Sequence, residues 1–163
     1  MKLALHELLT VHAALRGHPT DYPRIGALAL ERAGHSSPVR TKTEHDGRRD
    51  HLEIEWLTQH STILGVIDSH RVTEDGAEAV ALSYAHGIGR WLVKRRLRRG
   101  EYADWLLQID GRSLALEVSG TTTNDARSRL QEKKEQVTRC TLPATRMAVV
   151  VAFVQPMILA GTV

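Results

Sequence analysis

The chain has 163 residues, 42% of them hydrophobic and 25% charged, with a formal charge of +3 and a pI near 9.3. This is the ordinary composition of a single globular domain able to bury a core, and its excess of base permits an anionic partner without demanding one. The lone cysteine, Cys140, excludes an internal disulfide and predicts a reducing, cytoplasmic setting, while the longest apolar run, Met147–Val154, is too short to cross a bilayer.

Residues 2–16 place Leu5, Leu8, Leu9, His12 and Leu15 on one helical stripe, which Gly17 and Pro19 end. Asp21 and Pro23 open a second helix to about Ala33, closed by Gly34. A polar stretch follows, and its Asp46-Gly47 dipeptide predicts a hairpin between Val39–Glu44 and Arg49–Leu57, with Leu52, Ile54 and Trp56 on one face. Thr62–Ile67 is a further strand candidate. Thr73 or Asp75 caps a helix to about His86, with Ala77, Ala81, Tyr84 and Ile88 on one side. Arg90–Arg99 reads as a basic strand. Asn124 or Asp125 caps a helix through Arg139, and Ala148–Phe153 reads as a buried central strand. The last eight residues form an apolar tail with no assigned element.

The most informative stretch is Gly100–Ser119. Asp110-Gly111 favours a two-residue turn, and counting back from it sets Ile109 against Arg112, Leu107 against Leu114, Trp105 against Leu116 and Asp104 against Glu117. Alternation puts Trp105, Leu107, Ile109, Leu114, Leu116 and Val118 on an apolar face and Asp104, Leu106, Gln108, Ser113, Ala115, Glu117 and Ser119 on the other. Two carboxylates directly opposite have Cβ atoms roughly 5 Å apart, which destabilises unless they are solvated, share a proton or hold a cation. A hard divalent ion bound for work on phosphates uses one or two such carboxylates. A solvated polar face with an accidental acid pair is the plainer alternative. On the following helix Lys133 falls beside the apolar stripe of Ala126, Leu130 and Val137, where its ammonium either snorkels to water or meets an acid.

The element order and these residues together resemble the PD-(D/E)xK nuclease superfamily. Gly100-Glu101-Tyr102-Ala103-Asp104 is similar to the G-E-x-x-D opening of resolvase-like members, and Glu117-Val118-Ser119 stands at the Glu-x-Lys position. The resemblance covers about Val72–Gln155. It implies an α/β, restriction-endonuclease-like core (helix, three strands, helix, strand in a mixed sheet) over residues 71–155. Residues 1–70 are then an N-terminal helical and β extension for substrate binding or a homodimer contact, and 156–163 a tail.

Carried over, the resemblance implies Mg²⁺ (or Mn²⁺) on Asp104, Glu117 and the Val118 carbonyl, with Glu78 of the first helix as an assisting acid. Asp75 and Glu78 would equally make a capping-box pair. Ser119 departs from the family's lysine, and Lys133 is the replacement, with Lys134 second and Gln131 or Gln136 as glutamine alternatives. The implied activity is hydrolysis of phosphodiester bonds, in DNA rather than RNA, in defence, repair or recombination. A relative that lost its lysine and only binds nucleic acid or a protein is the alternative. Arg90, Lys94, Arg95, Arg96, Arg98 and Arg99 are the candidate backbone contacts, although the same charges defend an exposed edge strand. Trp91 and Tyr102 could stack on bases, and Trp105 falls on the core face. No histidine or cysteine spacing matches a zinc site.

Overall fold

The computed structural model describes residues 1–58 and 68–163. Eight strands form one mixed sheet: β1 (Lys2–Ala4), β2 (Val39–His45), β3 (Arg48–Glu55), β4 (Leu92–Arg96), β5 (Trp105–Ile109), β6 (Arg112–Thr121), β7 (Thr145–Ala152) and β8 (Met157–Thr162). Their order across the sheet is β1-β3-β2-β8-β7-β6-β5-β4. The helices are α1 (Leu8–Val11), α2 (Tyr22–Arg32), α3 (Ser69–Gly89) and α4 (Ala126–Thr138). No helix among the described residues is long and apolar enough to cross a membrane. The chain is therefore an α/β protein. The candidate strand Thr62–Ile67 lies outside the described residues.

Four expectations change. The stripe at residues 2–16 is not one helix but β1, a 3₁₀ turn (Leu5–Glu7), α1 and a second 3₁₀ turn (Ala13–Leu15). Its leucines are still buried, because short turns can present the same side chains to a core as a continuous helix. Helix α3 starts a turn before Thr73, where the Asp68 side chain accepts from the His70 and Arg71 N–H groups. Glu78 consequently sits in mid-helix and makes no capping pair. The basic strand is shorter, Leu92–Arg96, with a register shift between Val93 and Arg95 that leaves Lys94 outside simple alternation. Residues 156–163 are not a loose tail: β8 runs parallel to β2 and antiparallel to β7, in the interior of the sheet.

Helices α2 and α3 cover one face of the sheet. They cross closely at Gly26 and Gly76. A Cβ on Gly76 would come within 2.6 Å of the Ala29 Cβ, so any side chain there would push the helices apart. Beneath them lies the larger core, including Tyr22, Leu82, Trp105, Leu107, Leu116, Val149 and Phe153. Helix α4 covers the opposite face, packing Val137 and Ala126 over Ala115, Ala148, Val150 and Leu159. Each side of the β5–β6 hairpin therefore has its own helical cover, and the face carrying Glu117 is not a wet one.

Candidate active site

The turn between β5 and β6 has the backbone its sequence requires, with Asp110 at φ 46° and Gly111 at φ 75°. Register follows as counted: Ile109 pairs with Arg112, Leu107 with Leu114 and Trp105 with Leu116. One step further out, the Asp104 N–H donates to the Leu116 carbonyl at 3.0 Å, and the Val118 N–H donates to the Asp104 carboxylate at 2.8 Å. Asp104 is thus stapled across the strand on both sides of Glu117.

Glu117 is 1% exposed. Its Oε1 accepts from the Lys133 ammonium at 2.6 Å, and Lys133 also donates to Gln136 at 3.2 Å. Its Oε2 is buried with no hydrogen-bond partner. Burial first, and then the neighbouring Asp104, push the Glu117 carboxyl well above the usual carboxylate range, while Lys133 pulls it back. A half-satisfied buried acid beside a second acid is costly, and a shared proton or a cation relieves it.

The α4 face that places Lys133 there follows from its sequence. Val137 and Ala126 anchor the helix on the sheet, and the small residues Ala115 and Ser119 flank Glu117 on β6, letting α4 approach. Lys134 goes elsewhere: its chain lies over Gly161 of β8, where a Cβ would stand 3.1 Å from its Nζ. Gln131 is bound to Glu135. Of the four polar candidates on α4, Lys133 reaches the acid and Gln136 supports it. Ser119 is buried on the same face of β6.

Glu78 stands in a different centre, on the α2–α3 side. Both its oxygens accept from the Arg96 guanidinium, at 2.8 and 2.9 Å, and one also accepts from the Tyr22 hydroxyl at 2.8 Å. Arg96 lies over the Trp105 ring, 5.1 Å from its centroid. Burial raises the Glu78 carboxyl, Arg96 and Tyr22 oppose the rise, and Asp104 adds to it. The influence of Asp104 on both Glu78 and Glu117 places it between the two centres. The Arg96–Glu78 pair was not visible in the sequence, because its members are 18 positions apart and on different elements.

The remaining basic residues are distributed along the β4 edge. Arg95 is bidentate to Glu101 at 2.7 and 3.0 Å, Lys94 donates to Gln108 at 2.9 Å, and Arg90 caps α3 in the left-handed region. The Arg98 N–H donates to Glu101, and Arg98 and Arg99 are exposed. Glu101 of the G-E-x-x-D stretch thus orders the turn between β4 and β5. Tyr102 is exposed, Trp105 is buried, and Trp91 is half-buried under the Arg112 guanidinium.

No group of three or more His, Cys, Asp or Glu side chains converges on a possible metal position among the described residues. The donor set at Glu117 is two carboxylates, one with an orphaned buried oxygen. That set suits a hard cation that completes its shell with water and a phosphate ligand. No family model, curated protein or solved structure matches the chain.

Proposed function

We propose that the protein is a metal-dependent nuclease hydrolysing phosphodiester bonds in DNA, with a restriction-endonuclease-like core of the PD-(D/E)xK type. In this reading the lysine of the Glu-x-Lys position, replaced by Ser119, is supplied by Lys133 from α4. One observation carries it: buried Glu117 gives one oxygen to Lys133 and leaves the other unpartnered beside Asp104. The run α3–β4–β5–β6–α4–β7, with β6 and β7 parallel and the other neighbours antiparallel, agrees with the core that the resemblance implies.

Asp104 and Glu117, with the Val118 carbonyl, would hold Mg²⁺ or Mn²⁺. Such an ion, when bound, polarises a phosphate ester and lowers the pKa of water. The chain's own residues do the rest. The Val118 N–H fixes the Asp104 carboxylate, and Lys133 fixes Glu117. The Lys133 ammonium, 26% exposed, brings positive charge to the position where a phosphate would gain negative charge. Arg90, Lys94, Arg95, Arg98 and Arg99 line the edge available to a phosphate backbone, whereas Arg96 is committed to Glu78. A cytoplasmic enzyme acting as a homodimer completes the reading, since a double-strand cut needs two sites.

Incubation with plasmid, single-stranded DNA and RNA in Mg²⁺ or Mn²⁺ tests the proposal. Cleavage is expected to favour DNA and to vanish in Asp104→Ala; equal activity in that variant would end it. A second reading, a degenerate nuclease fold that binds nucleic acid or a protein without cutting, is favoured by the saturation of Glu78 by Arg96 and Tyr22. Calorimetric titration with Mn²⁺ separates the two, because the degenerate chain would release no heat of binding.

A further inference from the structure

A cavity of about 520 Å³, remote in sequence from the acid pair, opens between the N-terminal residues and the last turns of α3. Three of its lining side chains carry buried polar atoms that meet no hydrogen-bond partner: His12 Nε2, Ser83 Oγ and His86 Nδ1. Buried polar groups are normally satisfied, so three orphans on one cavity mark a surface that awaits a partner. His12 is itself 1% exposed, and its ring stands edge-on to His86 with centroids 5.8 Å apart.

The proton positions can be assigned. The Val93 N–H donates to His12 Nδ1 at 3.2 Å, so the proton of the neutral ring is on Nε2. The Leu82 carbonyl favours protonation of this ring without forming an aligned bond, whereas burial and His86 hold its pKa down to about 4. An arginine can only donate, so the His86 Nε2 that faces Arg90 at 3.5 Å accepts, and Nδ1 carries the proton. Ser83 supplies a hydroxyl. The wall is thus two ring N–H donors and one rotatable O–H. A transition metal is unsuited to it, because both free nitrogens are protonated.

The opposite wall is apolar, with Leu3, Leu8 and Val11. Charge at the rim balances: Lys2 is paired with Glu55 at 2.6 Å, and Arg90 faces a lining that includes Glu7. The C-terminal end of α3 also turns its carbonyl dipoles this way, which disfavours an anion. We infer that this cavity binds a neutral heteroaromatic ring, of nucleobase or nucleoside chemistry, whose ring-nitrogen or carbonyl acceptors meet His12, Ser83 and His86 while its face lies on the leucines. The volume lies within the range of small-molecule sites. The inference is independent of the nuclease proposal.

The test uses the full chain, titrated calorimetrically with adenosine, guanosine, cytidine and uridine, and with benzoate as a planar anion. At least one nucleoside is expected to bind with a Kd of about 1 mM or tighter, and Ser83→Ala and His86→Phe to weaken it about tenfold each. Ring N–H resonances of His12 and His86 in the unaltered chain should shift on addition of that nucleoside, which keeps the test valid if a variant fails to fold. Absence of binding by all four nucleosides, equal binding of benzoate, or binding that leaves both rings and both variants unaffected would each overturn it.

Discussion

Glu78 and Glu117 are both buried glutamates with a cationic partner, and both have carboxyls raised by desolvation. They differ in what the second oxygen does. At Glu78 every oxygen is taken, by Arg96 twice and by Tyr22, and the pair joins α2, α3 and β4. At Glu117 one oxygen is held by Lys133 and the other faces Asp104 with nothing between them. A saturated buried acid serves structure; an unsaturated one beside a like charge keeps a place for something else.

The largest expected effect breaks the comparison outright. Asp104→Ala and Glu117→Ala should each lower metal-dependent cleavage by about 10³-fold, roughly 4 kcal/mol, while Glu78→Gln should lower it far less; the assay is plasmid nicking under matched conditions. The reverse ranking would move the catalytic centre to Glu78. Stability should invert the order. Glu78→Ala leaves a partly buried guanidinium unpaired, and a cost of about 2 kcal/mol, or a melting shift of about 4–8 °C, is expected by calorimetry. Arg96 is 43% exposed, which keeps the cost below that of a fully buried pair.

The pH dependence sharpens the same contrast. The folded chain keeps a proton on Glu117 that the unfolded chain has already lost, so stability falls as pH rises from 4.5 through about 7. Glu117→Gln should flatten that fall by an amount on the order of 1 kcal/mol, measured by denaturant titration between these limits, and Mn²⁺ should flatten it in the parent chain. Glu78 contributes a slope of the same sign, but one that Mn²⁺ leaves untouched. Smallest of all, Gly111→Ala strains a left-handed turn residue and should cost about 1 kcal/mol. Because that turn sets the Asp104–Glu117 register, Mn²⁺ affinity should drop with it, whereas the Glu78 pair should be indifferent.

How far the sequence could be read depended on whether the controlling contacts were local. Asp110-Gly111 dictates a turn, the turn dictates the count, and the count places Asp104 against Glu117 without any knowledge of the fold. The position of Lys133 beside the apolar stripe of α4 was legible in the same way. The burial of Glu117 was not, although Ala115 and Ser119 on the same face were small enough to hint at a helix lying close. Leucine spacing at residues 2–16 could not distinguish one helix from a strand and three short turns, since all of them bury the same side chains. Strand β8 was missed because a six-residue apolar segment has neither length nor alternation to declare itself, and only Pro156 marked its start. The Arg96–Glu78 pair needed the tertiary structure.

The place of β8 has a consequence for how the sheet comes together. It lies between β2 and β7, so the three strands β1, β3 and β2 on one side and the four strands β7, β6, β5 and β4 on the other are joined through it alone within the sheet. It is also made after all of them. During synthesis both half-sheets therefore wait with an open backbone ladder, and the segment Met157–Thr162 acts as the zip that closes two seams at once.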